Sequence, residues 1–504
     1  MTLTSLHYLF FILIVLIAYH AVSRIPYGQR IVLAVANTFL IVAMTRKTVW
    51  ILILAFVAWA YLCGIVLEEA VTSGKKTKAA VFFWISITTV TAFLCYFKYF
   101  RWTYEWLQGV LALRGVGLAD FIMPIGVSYY TLTLLAYLID ISHKKHAAEH
   151  NFLDFYVFVT FFPSIIEGPI NLYRKVMPQL KEAHTFEPGD FTDGFARIIW
   201  GYVKKMLIAD RIGVIVIGIL GDETMSGLPV YFAMILYSFQ IYADFSGGID
   251  VVMGVARMLG IRLTENFKAP LTAGSVTDYW ARWHMSLGEF MEKYIYYPIV
   301  LNRRVMKLSK KIKSKYLSKA FSATVASIIV FVIVGIWHGT GWNYVVYGCY
   351  QALFVASAVL LGPVYKKIRG TLPFGESIGY RIFQCLRTFA ILTFGRYFIR
   401  ARDLTQAFDL FGRTFSGSGT GHLSGDFYAE LGLLPLDLWI VGLGILLLIV
   451  TDIITACGVN IRAKITGGNT AARFTLYFAA IFAILIFGMY GEGFTGASFI
   501  YQGF

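Results

Sequence analysis

Long apolar runs separated by short basic or aromatic stretches set the pattern of this chain. A helix needs about 20 predominantly apolar residues to cross a bilayer. Runs at or somewhat below that length fall at Leu6–Val22, Ile31–Met44, Val49–Leu67, Ala79–Phe97, Phe121–Ile141, Phe195–Leu220 and Val230–Met253. Others follow at Ala323–Trp337, Asn343–Leu361, Ile382–Tyr397, Leu436–Ala456 and Phe474–Tyr490. The short ones are expected to tilt or to thin the bilayer. The pattern predicts an all-α polytopic membrane protein with about 11–13 membrane helices. The first run carries neither a basic leader nor a small-residue cleavage site, so it reads as a retained helix and not a signal peptide.

Two stretches break the pattern. Phe152–Ile166 is interrupted by Pro163 and followed by Glu167-Gly168-Pro169, while Thr264–Pro298 is aromatic, charged and broken by Gly274 and Gly288. Proline and glycine at membrane depth imply broken, re-entrant or interfacial helices, tolerated where protein or a cavity surrounds them. Ser416–Gly425 reads as a flexible loop from its Gly, Ser and Thr content. Lys204, Lys205, Asp210, Asp244 and Asp250 sit inside apolar runs. For Lys204 and Lys205 the expectation is snorkelling at a helix end and structural ion pairing. The basic run from Arg303 to Lys319 is expected to be a solvated cytoplasmic loop touching anionic lipid.

Composition sharpens this reading. With 58% hydrophobic and 14% charged residues over 504 positions, a soluble fold could not hide the apolar surface. The formal charge of +15 would suit nucleic acid, but no zinc-finger, RNA-binding or helix-turn-helix pattern accompanies it. Loop lysines and arginines facing a cytoplasmic leaflet explain it better. If Arg24/Arg30, Lys75–Lys78 and His143–His146 are cytoplasmic, the N-terminus lies outside; Arg46, Lys47, Arg101 and Arg114 then fall on the other side. Five scattered cysteines make neither a metal spacing nor a disulfide framework, and no metal site is expected. The absence of a Walker-type loop argues against an ATP-driven pump, and the absence of a clean inverted repeat argues mildly against a secondary transporter.

Two Trp-His pairs are the chemical candidates: Trp283-His284 in DYWARWHMSLGEF and Trp337-His338 in GIWHGTGW. A histidine inside a membrane run is costly, which makes it a functional candidate; the alternative is a core histidine bonded to a neighbouring helix. With an ordinary pKa near 6.5, imidazole can be neutral and accept a proton at physiological pH. Gly339 and Gly341 leave room beside His338 for a ligand or a backbone. The simplest scheme has His338 as general base on an acceptor hydroxyl that attacks an activated acyl carbonyl. His284, Trp283 or nearby amides would position the donor or stabilise the oxyanion. No G-x-S-x-G elbow or H-E-x-x-H motif competes.

Taken in order, the motifs resemble the membrane-bound O-acyltransferase family, and within it the bacterial branch that includes the alginate O-acetylation membrane protein. The likeness runs through MPIGVSYYTLTLLAYLIDI (Met123–Ile141), FFPSIIEGPINLYRKVMPQL (Phe161–Leu180), GYVKKMLIADRI (Gly201–Ile212), YADFSGGIDVVMGVARMLG (Tyr242–Gly260), NFKAPL, the two Trp-His motifs and the ending FIYQGF (Phe499–Phe504). The resemblance implies one membrane-embedded domain over 1–504 around a central tunnel. Residues 1–120 would be N-terminal helices, 121–362 the catalytic core and 363–504 C-terminal helices. It gives His338 the catalytic role and His284 the second functional one, with Trp283, Trp337, Asn266 and Ser286 at the substrate. Asp244, Phe245, Ser246 and Asp250 match a recurring segment that is expected to pack the tunnel wall. The family often has Trp and Arg-Asp-Tyr after the first histidine and a basic residue after Gly-Pro-Ile; here stand Phe290, Glu292-Lys293-Tyr294 and Leu172. These departures bear on the donor.

The expected activity is transfer of an acyl group, acetyl above all, from a cytoplasmic thioester such as acetyl-coenzyme A across the cell membrane. The acceptor would be a hydroxyl of an extracytoplasmic polysaccharide or a partner protein that modifies it. Two alternatives remain: D-alanyl transfer toward teichoic acid from a carrier-protein thioester, and a lipid or polysaccharide transporter without acyl chemistry.

Overall fold

The computed structural model describes residues 2–45, 47–111, 124–416, 423 and 425–490. Most of the loop expected at 416–425 and the C-terminal motif at 499–504 lie outside the described residues. The described chain is helical, and its β content is one isolated antiparallel bridge, Phe267 to Trp283. Six of its helices are long and apolar enough to cross a membrane: Thr48–Thr72, Lys76–Phe100, Lys315–His338, Trp342–Leu360, Pro435–Ala456 and Thr470–Phe487. Three shorter apolar helices are Leu6–Ala21, Gly28–Met44 and Val127–Ser142. Leu443 and Phe482 on two of the long helices are more than half exposed, which suits hydrocarbon and not water. The chain is an all-α, multi-pass membrane protein.

It divides into two compact units, one drawn from Met1–Gly201 and Gly248–Thr264, the other from Tyr202–Gly247 and Glu265–Ile500. In the first, the expected interruption near Pro163 is real: the helix Phe152–Thr160 stops short of it. Asn37 repairs the break. Its amide donates to Thr160 Oγ1 at 3.0 Å and accepts from the Phe162 N–H at 2.8 Å, so backbone freed from the helix is not left bare. Gly126, at φ 69°, starts the helix Val127–Ser142; a Cβ there would lie 1.8 Å from the Ile165 carbonyl oxygen. Asp250 pairs with Arg197 at 2.7 Å, a structural ion pair.

In the second unit, Lys204 and Lys205 do not snorkel. They lie mid-helix, in the π-helical stretch Val203–Ala209, and are no more than 3% exposed. Lys205 Nζ sits 2.6 Å from Asp244 and 3.0 Å from Asp210; Lys204 donates to Ser246 Oγ at 2.8 Å. The ion-pairing half of the expectation holds for Lys205. Buried this deeply, an ammonium needs acidic partners and cannot keep its head in water. The basic run is not simply a loop either. Arg303–Ser309 is a helix capped by Asn302, and Lys315 and Lys319 open the long helix Lys315–His338, capped by Ser314. A side-chain cap at each start satisfies an otherwise orphan N–H and lets the helix begin among lysines.

The Lys315–His338 and Trp342–Leu360 helices form a hairpin whose backbones touch. A Cβ on Gly335 would lie 2.4 Å from the Tyr344 carbonyl oxygen, and one on Gly348 would lie 2.5 Å from that of Phe331. Small residues facing each other let membrane helices approach this closely. Asn343, fully buried at the start of the second helix, donates to the carbonyls of Phe398 and Ala401 at 2.9 and 3.0 Å. That fixes the hairpin against the end of the Ile378–Arg400 helix.

Candidate active site

His338 is the last residue of the Lys315–His338 helix and is 3% exposed. The chain leaves it through Gly339 and Gly341 to Trp342. The space beside these glycines is not open to a ligand. A Cβ on Gly339 would lie 2.3 Å from the Tyr344 ring, and one on Gly341 would lie 2.4 Å from Asn343 Oδ1. The glycines therefore serve packing that fixes the turn behind His338.

His284 reaches the same unit by a different route. Residues 266–268 and 282–285 pair antiparallel: Lys268 N–H donates to Arg282 O, and Met285 N–H donates to Asn266 O, both at 3.0 Å. This short ladder clamps His284 from both sides. Its backbone is left-handed, φ 49° and ψ 52°, which costs a residue with a Cβ about 1–2 kcal/mol. The clamp, and the His284 carbonyl that accepts from the Gly288 N–H at 3.0 Å at the start of the helix Met285–Met291, hold it there.

Asn266, fully buried, organises the side chains. Its Oδ1 accepts from the Ser286 backbone N–H at 3.0 Å and from Ser286 Oγ at 2.9 Å. Because a backbone N–H can only donate, the amide atom facing it is oxygen. The same oxygen lies 3.1 Å from His284 Nδ1, so that nitrogen carries the proton and donates. Neutral His284 then holds its lone pair on Nε2. His284 is 1% exposed and lies outside the six spans. Burial first, and the nearby His338 second, push its pKa well below the ordinary imidazole value.

Aromatic rings join the two histidines. The Trp337 ring centroid lies 5.9 Å from that of His284 and 5.1 Å from that of His338. Phe245 meets His284 edge-on at 4.9 Å, and Tyr347 meets His338 at 6.2 Å. Trp283 faces its own cluster, stacked on Tyr279 at 5.3 Å and crossed by Phe267 at 5.0 Å. All six residues singled out in the sequence fall in this unit. His284, Asn266 and Ser286 are hydrogen-bonded together, and Trp337 and His338 join them through ring contacts. The sequence reading missed Tyr347 and Tyr279, though both lie within quoted or adjacent motif stretches, and Arg396, whose Nη2 donates to Tyr279 Oη at 3.1 Å. Among the described residues no group of three His, Cys, Asp or Glu is placed to hold a metal ion.

Residues 128–371, which contain every member of this arrangement except Arg396, match the model of the MBOAT, or membrane-bound O-acyltransferase, family. The chain is 27% identical to a Pseudomonas aeruginosa protein named "Probable alginate O-acetylase AlgI", over 84% of this chain and 76% of that one. It is 28% identical to the "Peptidoglycan O-acetyltransferase" of Helicobacter pylori, over 57% of this chain and 55% of that one. It is also 28% identical to the "Teichoic acid D-alanyltransferase" of Bacillus subtilis, over 47% of this chain and 59% of that one. With paired, buried histidines in a helical membrane protein and a likeness that covers most of its length, residues 128–371 form a membrane-bound O-acyltransferase domain and the chain is an O-acyltransferase.

Proposed function

We propose that this enzyme takes an acetyl group from a cytoplasmic thioester, acetyl-coenzyme A, and delivers it to a hydroxyl of a polysaccharide outside the inner membrane. Delivery is direct or through an extracytoplasmic partner protein that modifies the polysaccharide. The observation that carries the reading is the burial of His284 and His338 around one shared indole, Trp337.

In the proposed reaction His338 accepts the proton of the acceptor hydroxyl as its oxygen attacks the thioester carbonyl. The tetrahedral adduct collapses with cleavage of the C–S bond, and the departing thiolate takes the proton back. The acyl group ends on oxygen and the thiol is released, with no net change in charge. A positioned base contributes about 10²–10⁴-fold to such a step. Of the two parts open to His284, positioning and oxyanion stabilisation, this reading assigns it the first. With its proton committed to Asn266, neutral His284 offers a lone pair at Nε2, so it orients a donor and does not stabilise an oxyanion. The imidazolium formed at His338 is such a donor. Exclusion of water by the surrounding rings limits loss of the thioester to hydrolysis.

The test is acyl transfer by the purified full chain in nanodiscs, with labelled acetyl-coenzyme A and a hydroxyl-bearing oligosaccharide. A D-alanyl carrier-protein thioester serves as the competing donor. The proposal expects label on the oligosaccharide from the first donor and its loss in His338→Ala. Transfer from the carrier thioester alone replaces the acetyl reading with the D-alanyl one. Undiminished transfer in the variant removes His338 from the mechanism.

A further inference from the structure

Arg396, on the Ile378–Arg400 helix, is 6% exposed, yet among the described residues it makes no ion pair. One guanidinium nitrogen donates to Tyr279 Oη at 3.1 Å; Nη1 is buried with no partner. A buried cation without a counterion is expensive, and a guanidinium cannot shed its proton to escape the cost, so it marks a place where a polar or anionic group can bind. The side chain lines a small, partly open cavity of about 10 Å³, together with Tyr242, Tyr279, Trp283, Thr388 and Leu392. Thr388 Oγ1, 1% exposed on the cavity wall, is also without a hydrogen-bond partner. Asp452, which meets the cavity wall through Tyr242 and Leu271, is already committed: it accepts from Tyr242 Oη at 2.7 Å and from the Leu271 N–H at 2.9 Å. The cavity thus presents a buried guanidinium N–H and a buried hydroxyl, each without a hydrogen-bond partner.

Its position ties it to the two histidines. Trp283, in the cavity wall, precedes His284 and stacks on Tyr279. Tyr347, whose ring lies 6.2 Å from that of His338, is within electrostatic reach of both Arg396 and Tyr279. The free space accommodates one small group and not a whole sugar or nucleotide.

We propose that the Arg396 cavity binds a carboxylate, held by Arg396 Nη1 and Thr388 Oγ1. A carboxylate can take one hydrogen bond on each oxygen, one from the guanidinium Nη1 and one from the threonine hydroxyl, and it is smaller than a phosphate. Two sources share this chemistry. One is an acidic sugar acceptor whose carboxylate docks while its hydroxyl meets His338, which rests on the acyl-transfer reading. The other is a free monocarboxylate, which does not.

The experiment uses the full chain in nanodiscs. In the binding arm, thermal unfolding is followed in sodium acetate and in sodium chloride of equal ionic strength. Acetate raises Tm in the native protein, and the rise is lost in Arg396→Gln and reduced in Thr388→Val. In the kinetic arm, acyl transfer is measured to an acidic and to a neutral oligosaccharide. Docking of the acceptor predicts that Arg396→Gln raises KM for the acidic one about ten- to a hundredfold more than KM for the neutral one, as loss of hydrogen bonds to a charged group does. Loss of the acetate effect with both KM values unchanged assigns the site to a free carboxylate. No acetate effect in the native protein, with both KM values unchanged in the variant, overturns the proposal and leaves Arg396 structural. If Arg396→Gln does not fold, Arg396→Lys and Thr388→Val carry the same comparisons. If no donor supports transfer by the native protein, the acyl-transfer reading fails while the binding arm still decides the site.

Discussion

Asn266 Oδ1 lies 3.1 Å from His284 Nδ1, and this one contact decides which imidazole nitrogen holds the proton. Its strength as an argument comes from Ser286, whose backbone N–H meets the same oxygen and fixes the amide's orientation. If Asn266 acts through His284, Asn266→Ala should lower kcat by about tenfold or more, the scale seen when a partner that orients an imidazole is lost. The decisive measurement is the double variant. Asn266→Ala should cost little further activity in a His284→Ala background, because the residue it positions is gone. Full additivity would separate the two residues.

The His284 imidazole should also leave a mark on stability. Its pKa is depressed in the folded state, by burial first and His338 second, while in the unfolded chain it sits near 6.5. Below that pH the unfolded chain binds a proton that the folded one refuses. Stability therefore falls as pH drops through about 6.5 toward the folded pKa, at up to about 1.4 kcal/mol per pH unit, and this contribution is flat above. Thermal unfolding of the nanodisc-embedded protein should show Tm falling below about pH 6.5, with a shallower fall in His284→Gln. Identical profiles would mean that His284 does take up the proton when folded.

Much of the fold was legible in the sequence because its signals are local. Spans such as Trp342–Leu360 and Pro435–Ala456 fall within a residue or so of the apolar runs that announced them. The break before Pro163 was equally plain. Motif likeness brought His284, Asn266, Ser286 and His338 forward together. What stayed hidden depends on partners distant in sequence. Nothing local says that Lys205 meets Asp244 across 39 positions, and so it read as a lysine at a helix end, snorkelling and ion-paired to no named partner. The left-handed backbone of His284 is imposed by the ladder to residues 266–268, which no pattern of hydrophobicity reports. Gly339 looked like space for a ligand or a backbone because the Tyr344 ring that fills it comes from the next helix.

The hairpin behind His338 makes a prediction that separates packing from chemistry. Gly335→Ala would drive a methyl into the Tyr344 carbonyl and the Gly348 backbone, at 2.4 and 2.9 Å, and neither contact is a flexible side-chain tip. Overpacking of this kind costs about 1–3 kcal/mol. The expected result is a lowered Tm together with lowered transfer, since the helix carrying His338 must move. Gly370→Ala is the control: a Cβ there meets nothing within 4 Å, and both readouts should hold.

The Lys205 cluster tests whether a buried charge is held for structure. Lys205, Asp244 and Asp210 are each no more than 5% exposed, and the ammonium bridges the two carboxylates. Lys205→Met leaves two acids facing each other in a medium that solvates neither. Removing one partner of such a set costs about 3–5 kcal/mol, whereas replacing all members with apolar residues is often neutral. Lys205→Met should therefore unfold at a markedly lower temperature, and adding Asp244→Asn and Asp210→Asn should recover most of the loss, because the amides carry no charge to strand. Asp244 adjoins Phe245, whose ring meets that of His284 at 4.9 Å. If the cluster only supports that helix, the triple variant should regain transfer along with stability. Regained stability with transfer still absent would show that the charges themselves take part in the reaction.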